Sequence, residues 1–547
     1  MTDFSIFIGG QAGEGIKRGA SLIGKLFNRY GYHIFIYEDY GSIIRGGQDY
    51  AEIRIKDSDV LTQFGKFDYM FSFHEDVFER YKDKQKEGCF YCIDGDLISF
   101  DNIIKKTSAR LFMKTSIVFG FLIYMFDIPY EFGKTVLEDD LKENSPINIK
   151  LMEEGYNFAK ENNFPRRKLE KGEKPPYPIL YGNDSIALGA VRSGMKVYTA
   201  YPITPTSTLL DYLARNARRL GIAVIHAEDE IASIVMAIGA AFAGVPSMVG
   251  SSGPGFDLMG EAISLAGGTE TPLVVLDVQR AGPTTGAPTY TEQSDLNLAL
   301  NIGHGEFPRI VLAIGSIDEA FEVIGKAFQY AWWYQTPVIV LSDKHVSESA
   351  KTFIIPSSTK FDLPVKLYQG EGTYKRYMDT EDGISPLTFP GVKDIVAHTN
   401  STEHTEDGYS SSIAGNVKKM KDKRLKKFST IEGDFTYERT VYVYGDLNAE
   451  NVLIGFGSTK GAILEAIEGL PVKYLQIVSL EPFPKGKILK EVGKANKIIA
   501  VENNSFAQLA TLFELHTKTK VDSRILKYDA RPFDPWELRA KIEEVLE

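Results

Sequence analysis

The loop TAYPITPTS places two prolines and several hydroxyl side chains directly after an apolar run that predicts a buried strand. Because proline fixes φ and removes an amide donor, this loop, which contains Tyr201 and Thr204, is predicted to be rigid. Open α/β sheets bind ligands at the carboxyl ends of their parallel strands. Hydroxyl groups held there could bond a small polar substrate, although an ordinary rigid crossover loop explains the spacing equally well.

A carboxylate, Glu230, opens the small-residue segment EIASIVMAIGAAFAG, which predicts a packed helix. A carboxylate beside an apolar wall holds its proton more tightly, as an acid–base group requires. The commoner explanation is that Glu228, Asp229 and Glu230 favour the positive N-terminus of the helix.

Arg280 ends the apolar run LVVLDVQ and precedes the threonines of RAGPTTGAPT, of which Thr289 is the last. A guanidinium group at a strand end suits a substrate carboxylate, because it can donate two parallel hydrogen bonds. A surface ion pair is an equally good explanation of Arg280 taken alone.

Glycines at positions 9, 10, 13 and 15 lie where an N-terminal strand turns into a helix, a place suited to anions. The spacing fails the GxGxxG pattern because Arg18 stands where the third glycine belongs. A tight turn that packs strand on helix is an equally good interpretation. A second turn is predicted at Arg45, which precedes two glycines and another strand.

Two cysteines, Cys89 and Cys92, form a CxxC without a second pair or neighbouring histidines. We interpret them as structural thiols on a strand, since a zinc site or an iron–sulfur cluster normally needs four ligands. Two cysteines also exclude a disulfide framework. No metal site is therefore predicted in this chain.

Strands and helices alternate along most of the chain, which predicts an α/β fold with hydrophobic parallel strands covered on both faces. The length of 547 residues suggests about three domains. We predict α/β domains over 1–160, 179–350 and 441–547. Between them, a charged, proline-rich linker is predicted over 161–178 and an irregular connecting region over 351–440.

The net charge of −11 argues against a nucleic-acid partner, which would require a basic face. No apolar run reaches the length of a membrane span, and the run 116–126 predicts a buried helix instead. With no signal peptide recognisable at the N-terminus and few cysteines, we expect a cytoplasmic protein.

Taken in order, these segments resemble the 2-oxoacid:ferredoxin oxidoreductases, in the form in which a γ-type domain precedes the α-type subunit. GGQAGEGI and RGG are similar to the γ-type domain. GNDSIALGA, YPITPTS, EDEIASIVMAIGAA, SSGPGFDLM and QRAGPTTGAPT are similar to the pyrimidine-binding domain of thiamine enzymes. GFGS, EPFP, VENNSFAQL and YDARPF resemble the C-terminal domain of transketolase. Nearly the whole chain is covered.

The resemblance implies oxidative decarboxylation of 2-oxoacids such as 2-oxoglutarate or pyruvate, with transfer of the acyl group to coenzyme A and of electrons to ferredoxin. It implies that Glu230 bonds the aminopyrimidine ring of thiamine diphosphate. The other residues implied to contact the cofactor are Pro202 and Ile203, and those implied to contact the substrate are Tyr201, Thr204, Arg280 and Thr289. In the family motif a serine occupies position 206 and a glutamate position 211, where this chain has Thr206 and Asp211.

The chain has no segment of the kind that holds magnesium and diphosphate, so we expect Mg²⁺, diphosphate and a [4Fe–4S] cluster on a β subunit, in an αβ or (αβ)₂ assembly. Thiamine diphosphate would then be shared between the subunits, and this chain alone would be inactive. Two alternatives stay open. One is an indolepyruvate or branched-chain 2-oxoacid oxidoreductase subunit, and the other is a non-catalytic scaffold subunit.

Overall fold

The computed structural model of the protein describes residues 2–42, 47–96, 98–354, 362–370, 373–436 and 440–547. Arg45 and its predicted turn lie outside these ranges. The chain forms two compact units, of which the first contains Met1–Tyr181, Glu348–Ile355 and Asp534–Trp536. Within the described residues the strands form one sheet in the first unit and two in the second. The predicted α/β class is therefore confirmed.

The first unit has a mixed sheet of seven strands in the order β5-β4-β1-β3-β2-β13-β6. Numbered along the whole chain, these are β1 (Asp3–Gln11), β2 (His33–Asp39), β3 (Gln48–Lys56), β4 (Phe67–Ser72), β5 (Gln85–Ile93), β6 (Ile179–Tyr181) and β13 (Ala350–Thr352). Strand β1 pairs in parallel with β4 and antiparallel with β3. The strands predicted before the glycine loop and after Arg45 are confirmed as β1 and β3.

The α-helices among the described residues of this unit are α1 (Ile16–Arg29), α2 (Glu75–Tyr81), α3 (Phe100–Thr107), α4 (Thr115–Met125), α5 (Tyr130–Leu141) and α6 (Ser145–Glu161). Helix α4 is buried along nearly its whole length, as predicted, because its apolar residues have no polar face to expose. Within the described ranges, no single helix is long and apolar enough to cross a membrane. The pair Phe100–Thr107 and Leu111–Met125 passes that test only together and is bent by 110°.

The glycine loop joins β1 to α1, as the sequence predicted, and Gly15 has a φ of +81°. A Cβ at Gly15 would lie 2.2 Å from the Phe112 carbonyl oxygen, so only glycine fits. The chain's own Glu14 carboxylate occupies this helix start. It accepts hydrogen bonds from the Gln11 backbone N–H (2.8 Å) and from the buried Lys114 ammonium group (2.7 Å).

The segment predicted as a linker contains neither helix nor strand between Glu161 and Ile179, but it is bonded to the first unit. The backbone N–H of Arg167 donates to Met125 and that of Leu169 to Phe126. Leu169 is also buried, so part of the segment 161–178 packs against the surface of the first unit.

The two cysteines lie on β5, as predicted. Burial raises the pKa of each thiol to about 12, so the thiolate that metal or redox chemistry needs is disfavoured. Within the described ranges, no group of three or more histidine, cysteine, aspartate or glutamate side chains could hold a metal ion.

The second unit is built on a sheet in the order β17-β11-β12-β10-β9-β7-β8. Its strands are β7 (Val197–Ala200), β8 (Ala223–His226), β9 (Ser247–Ser251), β10 (Leu273–Gln279), β11 (Ile310–Ala313), β12 (Pro337–Asp343) and β17 (Ser479–Glu481). All neighbouring pairs are parallel except β11 with β17. The predicted parallel sheet is therefore confirmed, apart from an antiparallel edge strand.

The helices associated with this sheet are α7 (Gly182–Arg192), α8 (Ser207–Leu220), α9 (Glu230–Phe242), α10 (Gly253–Leu258), α11 (Gly260–Gly268), α12 (Leu296–Asn301), α13 (Ile317–Tyr334) and α14 (Lys344–Glu348). Strand β8, at the free edge, is mostly exposed, and α9 leaves Ile231, Val235 and Met236 exposed. Strands β9, β10, β11 and β12 are buried throughout, as expected of parallel strands covered on both faces, and only the edge strand β8 departs from this expectation.

The third sheet has the order β14-β16-β15-β18-β19, formed by β14 (Val441–Gly445), β15 (Asn451–Gly455), β16 (Val472–Ile477), β18 (Lys497–Glu502) and β19 (Ser523–Leu526). Its helices are α16 (Thr459–Ala466), α17 (Lys485–Val492), α18 (Gln508–Thr517) and α19 (Pro535–Leu546). Strand β17 leaves this region to pair with β11 of the central sheet, which links the two sheets of the second unit.

The connecting region 351–440 is irregular over most of its described residues, but it ends in a helix of 22 residues, α15 (Ala414–Phe435). The sequence did not predict this helix. Its lysine-rich composition lacks a continuous apolar stripe, and several of its charged residues are buried by partners that lie far away in the sequence.

Candidate functional site

The predicted site residues all lie at one edge of the central sheet. Strands β7, β8, β9 and β10 are neighbours and parallel, so their carboxyl ends meet at the same edge. Tyr201 and Thr204 follow β7, Glu230 follows β8, and Arg280 follows β10. The fold therefore brings together residues that are up to about 80 positions apart in the sequence.

The YPITP loop is fixed to its neighbours by hydrogen bonds. Arg280 Nη1 donates to the Thr204 carbonyl oxygen at 2.8 Å. The Asn183 amide donates to the Pro205 carbonyl oxygen at 3.0 Å. Tyr201 is 40% exposed, whereas Arg280 is only 6% exposed. The loop is held from below by Arg280 and Asn183, and it leaves Tyr201 open to a ligand or a partner.

The two departures from the family motif, Thr206 and Asp211, do not disturb the structure of this loop. The buried Thr206 hydroxyl donates to the Ser251 carbonyl oxygen at 2.6 Å and ties the loop to β9. Asp211 is exposed on α8, where it pairs with Arg215 one helical turn later at 3.4 Å. A serine could make the first bond equally well, and the second pair is a surface pair of small energetic value.

Glu230 is the first residue of α9 and is only 7% exposed. The Asp229 carboxylate caps this helix by accepting from the Ala232 N–H at 2.7 Å, so Glu230 is not needed as the cap. No described residue hydrogen-bonds the Glu230 carboxylate. A Cβ at Gly255 would lie 2.4 Å from Glu230 Oε1, so this glycine leaves the space in which the carboxylate lies.

Several buried polar atoms at this edge have no hydrogen-bond partner among the described residues, and they include the donor groups Arg280 Nε, Thr289 Oγ1, Ser251 Oγ and Ser252 Oγ. Buried polar groups in folded proteins are normally bonded, and an orphan group points to an absent ligand or water. A guanidinium group and hydroxyl groups suit a small anion that carries a carbonyl or carboxylate oxygen. The sequence predicted Arg280 and Thr289 here but not the two serines.

Residues of the third sheet position the loop that follows Arg280, and Gln293 is the connection. Its side chain donates to the Phe456 carbonyl oxygen at 2.9 Å and accepts from the Asn503 N–H at 3.1 Å. A Cβ at Gly457 would lie 2.4 Å from the Gln293 Nε2 atom. The GFGS and VENN segments thus hold this loop in place.

Two acidic residues beside Arg280 were missed by the sequence reasoning. Asp277 lies within β10 and is fully buried, and Asp295 precedes α12. The sequence could have indicated Asp277, because an aspartate inside the apolar run LVVLDVQ is predicted to be buried, and aspartates are rarely buried without a specific role. Asp295 carries no such signal, because it stands among polar residues.

Two family models match the chain. Residues 188–423 match the thiamine diphosphate-binding domain of pyruvate flavodoxin/ferredoxin oxidoreductases. Residues 5–158 match a pyruvate ferredoxin/flavodoxin oxidoreductase domain. The matched thiamine-binding region contains Tyr201, Thr204, Glu230 and Arg280.

Relatives cover nearly the whole chain. A 2-oxoacid:ferredoxin oxidoreductase subunit alpha from a Sulfolobus species is 32% identical over 98% of this chain and 96% of its own. The 2-oxoglutarate synthase subunit KorA of Methanocaldococcus jannaschii is 32% identical over 60% of this chain and 88% of its own.

A solved 2-oxoglutarate:ferredoxin oxidoreductase from Magnetococcus marinus, with 2-oxoglutarate, coenzyme A and succinyl-CoA bound, is 30% identical over the full length of both chains, with a TM-score of 0.91. The agreement in sequence and in fold extends over the complete chain. The protein therefore belongs to the 2-oxoacid:ferredoxin oxidoreductase family, as an alpha subunit.

Proposed function

We propose that this chain recognises the substrate in an enzyme that decarboxylates 2-oxoacids oxidatively, with coenzyme A as the acyl acceptor and ferredoxin as the electron acceptor. The observation that carries this proposal is the hydrogen bond from Arg280 to Thr204, with Arg280 Nε and Thr289 Oγ1 left free. A 2-oxoacid offers a carboxylate to the guanidinium group and a keto oxygen to a hydroxyl group.

Glu230 is proposed to hydrogen-bond the aminopyrimidine ring of thiamine diphosphate. The residues fit thiamine diphosphate, because the buried Glu230 carboxylate has no partner of its own. The absence of a side chain at Gly255 leaves space for this carboxylate. When bound, the cofactor supplies the carbon nucleophile that makes decarboxylation possible. Glu230 would hold a proton at the ring nitrogen. The exposed Pro202 and the half-buried Ile203 would pack against the ring.

The partner is proposed to be a β-type subunit that supplies the diphosphate site, Mg²⁺ and the [4Fe–4S] cluster. Support comes from the relatives, whose names describe alpha subunits, and from the exposed apolar residues of α9. The assembly, αβ or (αβ)₂, and the cytoplasmic location stay predictions.

The preferred substrate is proposed to be 2-oxoglutarate, with pyruvate as the second candidate. Support comes from a relative named as a 2-oxoglutarate synthase subunit and from the solved structure, which contains 2-oxoglutarate. Initial rates of the assembled complex with each 2-oxoacid, coenzyme A and ferredoxin would test this order. Higher rates with indolepyruvate or branched-chain 2-oxoacids would contradict it.

Replacing Glu230 tests the proposed chemistry. We expect Glu230→Gln in the assembled complex to lower kcat by at least 10²-fold, because the amide cannot exchange a proton with the ring. Assembly and 2-oxoacid binding are expected to stay unchanged. Glu228→Gln, which changes an exposed carboxylate two residues away, is the matched control.

Near-normal turnover by Glu230→Gln would overturn the assignment of this residue. A wild-type complex that assembles with its β-type partner but turns over no 2-oxoacid would overturn the proposed function and favour a scaffold subunit.

A further inference from the structure

Asp277 and Asp295 form a pair of carboxyl groups behind Arg280. Asp277 lies opposite Ser251 in the parallel pairing of β10 with β9. The backbone N–H of Asp295 donates to the Gln279 side chain at 3.0 Å, which holds Asp295 beside the end of the same strand. A Cβ at Gly253 would lie 3.3 Å from Asp295 Oδ2, so this glycine keeps the space open.

The carboxylate oxygens of Asp277 and Asp295 have few hydrogen-bond donors around them. Both carboxylate oxygens of Asp277 and Oδ2 of Asp295 are buried and make no hydrogen bond of normal geometry to a described group. The nearest donor is the Gly253 backbone, which lowers the pKa of Asp277 but is outweighed by burial and by Asp295. Two ionised carboxylates can only accept, so they would repel each other in this position. The two groups can hydrogen-bond each other only if one of them is protonated.

Around the two aspartates, negatively charged groups outnumber positively charged ones. Arg280 is the positive group, while Glu292 and the exposed Asp257 add negative charge. Burial, followed by the charge of Asp295, raises the pKa of Asp277 well above its usual range. Burial and then Glu292 raise the pKa of Asp295 to about 6.

Arg280 makes no ion pair with either aspartate. The guanidinium charge and the single negative charge of a half-protonated pair nearly cancel. A substrate carboxylate that binds Arg280 then brings an additional negative charge into a site with little water, where an uncompensated charge is costly.

We propose that Asp277 and Asp295 share one proton behind Arg280, and that the pair takes up a second proton when the carboxylate of a 2-oxoacid binds to Arg280. This inference rests on the proposed function, since it requires Arg280 to bind that carboxylate. The second proton comes from solvent. Solvent reaches Asp295, which is partly exposed, but not Asp277, which is fully buried in β10. Both aspartates are therefore positioning residues for Arg280.

The KM for the 2-oxoacid in the assembled complex, measured between pH 5.5 and 8.5 with saturating coenzyme A, tests the inference. In the wild type, KM is expected to rise above a pH of about 6 by up to tenfold per pH unit, because binding requires a proton that becomes scarcer. Asp295→Asn should show a flat KM in this range, since Asp277 keeps its proton through burial. Glu228→Gln, which changes an exposed carboxylate, should keep the wild-type profile.

Direct proton uptake provides a second measurement that needs no variant. Titration of the wild-type complex with N-oxalylglycine, an amide analogue of 2-oxoglutarate, is expected to give a binding enthalpy that depends on the ionisation enthalpy of the buffer. The expected uptake at pH 7.5 is between about 0.5 and 1 proton per site.

A flat wild-type KM, a rising KM in Asp295→Asn, or no proton uptake at pH 7.5 would each overturn the inference. These results leave the proposed function intact if the complex turns over 2-oxoacids normally. A complex without 2-oxoacid turnover would instead contradict the proposed function itself.

Discussion

Arg280 illustrates how one side chain can join two parts of a site. One of its nitrogen atoms donates to the Thr204 carbonyl oxygen, while its Nε atom is buried without a partner. No described carboxylate forms an ion pair with it, so its remaining N–H groups can bond a ligand. A buried guanidinium group with unbonded N–H donors is typical of a carboxylate-binding site.

We expect Arg280→Ala to raise the KM for the 2-oxoacid by about 10- to 150-fold, the equivalent of about 1.5–3 kcal/mol for hydrogen bonds to a charged group. The KM for coenzyme A should change much less. Arg280→Lys should recover only part of the loss, because an ammonium group cannot bond the Thr204 carbonyl oxygen and a carboxylate in the same planar geometry.

Steady-state kinetics of the assembled complex would provide the measurement, with Arg215→Ala as the control, since Arg215 is exposed on α8. An unchanged KM for the 2-oxoacid in Arg280→Ala would contradict the role of this residue in substrate binding.

At the scale of elements, helix α15 is joined to the central sheet domain by buried charges. The ammonium group of Lys423 donates to Glu270 at 2.8 Å, and Lys427 also bonds Glu270. Arg376 donates to the Glu270 carbonyl oxygen (2.6 Å), and Lys427 to that of Gln335 (3.1 Å). These cations satisfy carbonyl groups just beyond the ends of α11 and α13, where the helix dipoles favour positive charge.

This cluster has one carboxylate and three cations. Burial alone would raise the pKa of Glu270, but Lys423, Lys427 and then Arg376 outweigh it and hold that pKa well below its usual range. Burial, opposed by Glu270, lowers the pKa of Lys427 to about 7. Because the carboxylate is favoured, Glu270 stabilises the fold above its ordinary pKa of about 4.5 and loses this effect as the pH falls further.

We expect Glu270→Gln to lower the free energy of unfolding by about 3–5 kcal/mol at pH 7, because it leaves buried cations without a counter-charge. Its stability should rise from pH 7 to pH 9 more steeply than that of the wild type. The unfolded lysines bind protons in that range that the folded lysines release.

Thermal unfolding at the two pH values would measure both effects. Glu406→Gln, which removes a carboxylate from the more exposed pairs with Lys375 and Lys419, is the control and should cost less than about 1 kcal/mol. Equal stability of Glu270→Gln and the wild type would contradict the prediction.

At the scale of the whole molecule, the second unit carries an apolar surface that the chain itself leaves uncovered. Ile231, Val235 and Leu258 are between 47% and 55% exposed, and they line one cavity of about 490 Å³. Contiguous exposed apolar residues usually mark an interface. This surface begins one residue after Glu230, so a subunit that covers it would also close the proposed cofactor site.

We expect Val235→Glu to prevent stable association with the β-type subunit, because a charge would be buried in an apolar interface. The variant chain should fold as the wild type does, since Val235 is exposed in the isolated chain. Co-purification and size-exclusion chromatography would measure the effect.

Leu515→Glu on α18 changes another apolar residue, 61% exposed, and serves as the control. If Val235→Glu still forms the complex at wild-type yield, the interface lies elsewhere on the chain.

The strands and helices that carry the site could be predicted from the sequence because their patterns are local. Apolar runs such as LVVLDVQ read as buried strands, and prolines and glycines mark the loops after them. Helix α15 was missed because buried lysines look the same as solvated ones in a sequence. Their counter-charge, Glu270, lies more than 150 positions away.

The sequence by itself determined the α/β class, the order of the motifs and the residue types at the site, since these depend on local composition and spacing. Only the tertiary structure decided that Arg280 bonds Thr204, that Gln293 ties the loop to the third sheet, and that Asp295 is held beside the end of the strand that contains Asp277. Such contacts arise where strand order brings distant residues to one edge. The pairing of strands is a non-local choice that no segment of the sequence expresses alone.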